Sequence, residues 1–379
     1  MNIKRNILLT PGPLTTRDEV KRALLTEDIC PREKDFTEVL REVRESVVKV
    51  AHGEKDYSCV LYASSGTGAV EAAISSVLES DSEKILVLDN GAYGARMAAI
   101  ARASYGPARV VHAEFAHTRM LSAADVENRL EADPTIRVVA LVHHETTTGM
   151  LNAIEDVGRA VRKRGVKIIV DAMSSFGGLP IDLRRDAYDF VISSANKCLE
   201  SVPGMAFVVA RTAWLNMPSK QPSKSFYFDL RRGYAYVEKT GQMEFTAPVQ
   251  VVYAFREALR LYFKETGEGR NRRYMQSWDV LTAGLKHIGF KLLLPEAHQS
   301  RLLASILEPS HPRFDFDAMH DDLFKHGFTI YPGKTGQHRT FRLAVIGAID
   351  SQDIAEFLKE LQNHLNRREI RIEETPPRS

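Results

Sequence analysis

Between residues 57 and 210, seven short runs rich in β-branched residues alternate with longer amphipathic ones, and this alternation constrains the fold more than any other feature. The runs are YSCVLYA (57–63), KILVLD (84–89), ARVVHA (108–113), RVVALV (137–142), VKIIVD (166–171), DFVISS (189–194) and GMAFVVA (204–210). Several are apolar at consecutive positions, so both faces of their sheet must be covered. Helical periods fill the gaps at 67–80, 92–104, 122–132 and 153–165. The last of these ends in basic residues and a glycine, which suits the negative end of a helix. Strand and helix in strict succession predict a mostly parallel, doubly wound α/β sheet.

Beyond residue 215 the texture changes. A polar, aromatic stretch (216–248) reads as loop, and helical patterns follow at 250–265 and 270–288. Then come KLLL, the strand-like SRLLASILEP, a helix near 316–326, FTIYPG, TFRLAVIG and a last helix over 351–365, which together suggest a smaller α+β domain. The expected organisation is an N-terminal arm (1–14), a large domain (15–255), a small C-terminal domain (256–366) and a polar tail (367–379) whose charge and prolines predict loose order.

Charge and cysteine content exclude several classes. Fifty-one Lys and Arg against 49 Asp and Glu leave +2, which offers no global attraction for nucleic acid or an anionic membrane. No run approaches the roughly 18–20 apolar residues of a membrane span, and the apolar run before Thr10 is too short for a secretory signal. Cys30, Cys59 and Cys198 are too few and too scattered for a disulfide framework or a closed zinc site, so a reducing, cytoplasmic setting is expected.

Three places carry chemistry. The first strand runs into Ser64-Ser65-Gly66-Thr67-Gly68, which opens a helix, and backbone amides with the positive end of a helix dipole suit a phosphate there. Asp89 lies where a dinucleotide fingerprint would hold a ribose, but Glu71 occupies the third glycine position and leaves that fingerprint incomplete. Asp171 ends one strand, and Lys197 follows another by three residues. A lysine at the carboxyl end of a buried strand is unusual, and desolvation lowers its pKa toward that of a nucleophile. A phosphate cradle, a carboxylate for a pyridinium nitrogen and a Schiff-base lysine are what pyridoxal 5′-phosphate requires. His143 and His144 are adjacent on a strand pattern and point to opposite faces, so no metal site is expected.

The segments TPGP, SSGTGA, NGAYG, HHETTTG, VDAMSSFGG, SSANKC, FTAP and TFRLAVIG occur in this order over residues 7–366. As an ordered set they resemble the class-V, fold-type-I aminotransferases of the alanine–glyoxylate and serine–pyruvate group. The resemblance implies a pyridoxal-phosphate transferase with a mostly parallel seven-stranded sheet in its large domain. It implies Lys197 as the catalytic and cofactor-bearing lysine, Asp171 on the pyridine nitrogen and Ser65, Gly66 and Thr67 on the cofactor phosphate. Tyr93 would stack on the ring, Thr147 (with Thr148 competing) would place a hydroxyl nearby, and Arg342 would grip a substrate carboxylate. Thr246 would reach the phosphate of a neighbouring subunit, which implies a homodimer.

SSANKCLESVPG and CPREKDF narrow the resemblance to members that move the amino group of 2-aminoethylphosphonate to pyruvate, with Arg32 the candidate for the phosphonate. Ser201 and Met205 depart from the family pattern, where glycine and an aromatic are usual. Competing expectations are an alanine–glyoxylate, serine–pyruvate or other aminophosphonate transaminase, and a non-catalytic binding protein on the same fold.

Overall fold

A computed structural model describes residues 6–186, 188–333 and 338–372 of the chain. The seven runs form one seven-stranded sheet in the spatial order Tyr57–Ala63, Met205–Arg211, Phe190–Ser194, Lys167–Asp171, Ile136–Val142, Lys84–Asp89, Val110–Glu114. The last five pair in parallel, while Met205–Arg211 runs antiparallel to both its neighbours. Helices cover both faces, and two apolar cores lie on either side, one around Leu86, Val139, Val170 and Phe207, the other around Val87, Ala140, Ile169 and Val208. Consecutive residues of each strand thus go to opposite cores, which is why the strand sequences lack polar alternation.

The connections place the ends of five strands at one edge. Ala63, Asp89, Val142, Asp171 and Ser194 are each the last residue of a strand running the same way, and ligands of open α/β sheets bind at that edge. Asp171 pairs with Val142 on one side and Ile192 on the other, so Asp171 and the segment leading to Lys197 leave directly hydrogen-bonded neighbouring strands.

A third core surrounds a three-stranded sheet, Leu303–Leu307, Thr340–Ala344 and Tyr331–Pro332, backed by helices Gly267–Ile288, Phe316–Lys325 and Ser351–Arg367. The chain's N-terminal arm joins this unit: Ile7–Leu8 pairs in parallel with Phe328–Thr329, and Ala344 N donates to Leu9 O at 3.0 Å. Helix Val249–Glu265 runs unbroken across residue 255 and packs on the large sheet as far as Tyr262. Most of the polar tail, residues 373–379, lies outside the described residues. No helix among the described residues is long and apolar enough to cross a membrane.

Two helices of more than ten residues are absent from the sequence expectation, besides the short ones at Asp18–Arg22, Leu183–Asp186 and Thr212–Leu215. Lys34–Val50 buries Phe36, Val39, Leu40, Val43 and Val47, spaced at 3.6-residue periodicity. Within the stretch read as loop, Leu230–Thr240 is a helix, capped by Asp229, whose side chain accepts from Arg232 N, and closed by Gly241 at φ 71°. Its buried apolar residues are only Leu230, Tyr234 and Val237, and its flanks are polar, so the loop-like composition hid a short helical period.

Candidate active site

Lys197 is half-buried beyond Ser194. Its amine donates to the Pro11 carbonyl, and a Cβ on Gly12 would stand 2.2 Å from Nζ, so a side chain there would collide with the lysine. The arm therefore lies against the amine and shields it from water. Burial, with the Arg342 charge adding to it, pulls the Lys197 pKa below its ordinary 10.5 against the opposing influence of Tyr93 and Asp171. A lysine so placed holds a larger share of neutral, nucleophilic amine.

Asp171 is also buried, and its Oδ1 accepts from Met173 N at 2.9 Å. Desolvation raises its pKa to about 6, and the nearby Glu145 charge adds to the rise. A carboxylate held in this way gains from a cationic N–H brought against it. Cys198, next to Lys197, is a packing residue: its thiol is pushed up to about 12 by burial and lies 3.4 Å from the Ser174 carbonyl. Ser201 and Met205 are both buried, and Ser201 Oγ has no partner.

Helix Gly66–Val77 opens toward the same edge. Ser65 stands at its N-cap with extended backbone and makes no side-chain capping bond; Gly68 N donates to Ser65 O at 2.9 Å, so the Gly66 and Thr67 amides are the ones left to an anion. Asp89, the residue that suggested a ribose, is spent locally. Its Oδ1 accepts from Gly91 N at 2.9 Å and its Oδ2 lies 2.8 Å from His112 Nε2. Arg96, which the sequence reading overlooked, donates to Thr67 Oγ1 at 3.3 Å and lies 5.1 Å from the Tyr93 ring centre. Its spacing, one turn after Tyr93, was the available signal.

The turn 144–149 ties these parts together through Glu145. This fully buried carboxylate accepts from the Tyr93 and Gly94 amides (3.2 and 3.3 Å) and from both the amide and hydroxyl of Thr147 (3.0 and 2.6 Å). An acid at a helix N-terminus is favoured by the helix dipole, though burial still raises its pKa. Thr147 Oγ1 also accepts from Ala92 N at 2.9 Å, so its hydroxyl is committed to holding Tyr93's helix. The competing hydroxyl, Thr148, is buried and has no partner.

Arg342 reaches the turn from the smaller unit. It is 1% exposed, and donates from Nε to Pro332 O (3.0 Å) and from Nη1 to Thr146 O (3.1 Å). A hydrogen bond also joins it to the Tyr93 hydroxyl. None of these acceptors is a carboxylate, and Glu145, whose charge reaches it, is occupied by four other donors. A buried guanidinium so placed is ready for a planar anion.

Two residues lie apart from this cluster. Arg32 is exposed, and its guanidinium donates to Gln242 Oε1 and Met243 O (both 2.9 Å), Tyr236 Oη and Glu244 O (both 3.3 Å). Thr246 follows that same segment and is exposed beside Phe245, which stacks on Tyr227 with ring centres 4.7 Å apart. A buried ion-pair group also escaped the sequence reading: Glu200, at φ 60°, accepts from Arg273 and Tyr274 (2.8 and 2.7 Å) with Arg270 Nη2 at 3.6 Å, joining the lysine loop to helix Gly267–Ile288.

The class-V aminotransferase model matches residues 22–321, which is most of the chain. The chain belongs to the class-V aminotransferase family. A 2-aminoethylphosphonate–pyruvate transaminase of Syntrophobacter fumaroxidans is 43% identical over 95% of this chain and 96% of its own. One of Pseudomonas aeruginosa is 42% identical over 94% and 97%. Among solved structures, an alanine–glyoxylate aminotransferase of Nostoc sp. superposes with a TM-score of 0.88 over 96% of both chains at 23% identity. A pyridoxamine–pyruvate aminotransferase of Mesorhizobium loti gives 0.85 over 97% and 93%, also at 23%. The family's cofactor is pyridoxal 5′-phosphate, and the residues present fit it: an uncapped helix start, a desolvated carboxylate and an enclosed lysine face one sheet edge.

Proposed function

We propose that this aminotransferase moves the amino group of 2-aminoethylphosphonate to pyruvate, releasing phosphonoacetaldehyde and L-alanine, one substrate after the other at a single site. The observation that carries the substrate choice is the near-full-length likeness to relatives bearing that name, at 38–43% identity. In this reading Ser65, Gly66 and Thr67 would hold the cofactor phosphate, Tyr93 would cover its ring, Thr147 or Thr148 would lie alongside and Asp171 would keep its pyridine nitrogen protonated. Bound at Lys197, the cofactor supplies an electron sink for bond breaking at the amine-bearing carbon.

The chain's own residues do the rest. Lys197 Nζ takes the proton from that carbon, a task for which its lowered pKa suits it. Glu145 fixes the Tyr93 helix, Arg342 grips the pyruvate carboxylate, and the Pro11–Gly12 arm keeps water from the amine. A coupled assay decides the substrate: the enzyme with pyruvate and each of several amines, measuring alanine. Fast alanine formation is expected from 2-aminoethylphosphonate, whereas turnover of serine with none from the phosphonate would sink the assignment.

The exposed Thr246 and its aromatic neighbours support a homodimer in which Thr246 reaches the phosphate in the partner's site. Sedimentation as a single 42.5 kDa chain would exclude that arrangement. Arg32 is hydrogen-bonded to the segment that leads to Thr246, so in a dimer the two travel together to the neighbouring cleft. Arg32→Ala is expected to lower kcat/KM for 2-aminoethylphosphonate by about 10-fold or more while sparing alanine. Equal losses on both amines would remove its selective role. The three cysteines are free, which fits the cytoplasmic setting we assign.

A further inference from the structure

His144 opens the buried turn, and the proposed chemistry uses neither of its ring nitrogens. Its Nδ1 lies 3.2 Å from the Ser174 carbonyl oxygen, which can only accept, so Nδ1 carries the proton and Nε2 presents a lone pair. Nε2 is buried and meets no donor, and an acceptor left in that state is costly unless a donor arrives.

The ring's surroundings indicate which donor this is. The Ser174 carbonyl that receives His144 also receives Cys198 Sγ, so the histidine and the residue after Lys197 converge on one oxygen. The amide of His143 donates to the Asp171 carbonyl at 2.9 Å, which locks this segment to the strand bearing Asp171. The Lys197 charge is felt at the His144 ring, where it adds to the effect of burial in opposing protonation; the ring's pKa falls to about 4.

A neutral lysine amine has two N–H bonds and one lone pair, and in the structure Nζ donates to Pro11 O. On the reading that Lys197 carries the cofactor, its amine is bonded to the cofactor in one stage of the cycle and free in the other. We propose that His144 is a positioning residue whose Nε2 accepts the second N–H of the Lys197 amine while that amine is free. With Pro11 O and His144 Nε2 accepting from the two N–H bonds, the lone pair is left facing the substrate carbon.

The test compares wild type with His144→Phe, which fills the space without an acceptor, and His144→Gln, which restores one. His144→Leu is a second acceptor-free variant should the phenylalanine not fold. Pyridoxamine 5′-phosphate, the cofactor form that leaves Lys197 free, is titrated calorimetrically into cofactor-free protein, and pyridoxal 5′-phosphate uptake is followed by absorbance.

Lys197 is free in the cofactor-free protein and with pyridoxamine 5′-phosphate bound, and only attachment of pyridoxal 5′-phosphate breaks the contact, so the acceptor-free variants are expected to bind pyridoxal 5′-phosphate about 5- to 10-fold more tightly than wild type and pyridoxamine 5′-phosphate within about 2-fold of it. His144→Gln should stay within about 2-fold of wild type for both. Equal changes toward both cofactor forms would mark a structural role and overturn the proposal, as would an unchanged preference between the two forms in a folded acceptor-free variant. Neither titration involves an aminophosphonate, so an error in the amine substrate leaves the result intact. Failure of pyridoxal 5′-phosphate to attach to Lys197 in the wild type would overturn the reading of that lysine and this inference with it.

Discussion

Lys197→Ala should lose essentially all turnover, with kcat down by about 10⁴-fold or more, because the same amine serves as covalent anchor and as proton carrier. Borohydride reduction of the loaded wild type should fix the cofactor to the peptide containing residue 197, and the variant should give no such adduct. Detection of an adduct on another lysine at wild-type yield would sink the assignment. The variant should nevertheless fold. Lys197 is desolvated, so in the cofactor-free protein its charge is borne at a cost that alanine removes.

The pH dependence of that difference has a definite sign. The lysine's folded pKa lies below its ordinary 10.5, so between the two values the unfolded chain binds more protons and the wild type gains stability as pH rises. Melting curves of cofactor-free protein should therefore show Lys197→Ala ahead near neutrality and the gap closing toward pH 10.5. A gap that widens with pH would contradict a desolvated lysine.

Arg342→Ala should strike the pyruvate half of the reaction. Removing one member of a buried, hydrogen-bonded charge pair costs about 2–5 kcal/mol, or roughly 30- to 5000-fold in kcat/KM. Lysine at this position should recover little, since a point charge cannot reproduce the planar fork. Single-turnover rates separate the halves: pyruvate should suffer by that factor, and 2-aminoethylphosphonate by less than about 10-fold. Comparable losses in both halves would mean that Arg342 receives the phosphonate as well, and would leave Arg32 without its proposed part.

Much of the large sheet was legible because its strands are short, apolar throughout and regularly spaced, so each of the seven strand expectations between residues 57 and 210 falls within two residues of the strand found. Lys34–Val50 was legible too, since its apolar residues follow a helical period, but it precedes the first strand and stands outside the alternation. Leu230–Thr240 was harder to see, because a stripe of three buried apolar residues among polar neighbours resembles loop. Within the candidate site, Lys197, Asp171 and the Ser65–Thr67 turn could be picked out by their positions at strand ends.

Glu145 could not be found in this way. Its importance arises from Tyr93 and Gly94, about fifty positions upstream, and nothing in HHETTTG announces that partner. The commitment of the Thr147 hydroxyl and the unpaired state of Thr148 follow from the same fold-made contact.

The sequence by itself determined the class of fold, the strand ends that carry chemistry and the type of group they can hold, because hydrophobic period and residue type are local properties of the chain. Only the tertiary structure decided which hydroxyl is free, which carboxylate is enclosed, which arginine lacks a carboxylate partner and which histidine nitrogen waits for a donor. Those are properties of burial and of hydrogen bonds between residues remote in sequence, and they exist only once the chain has closed on itself.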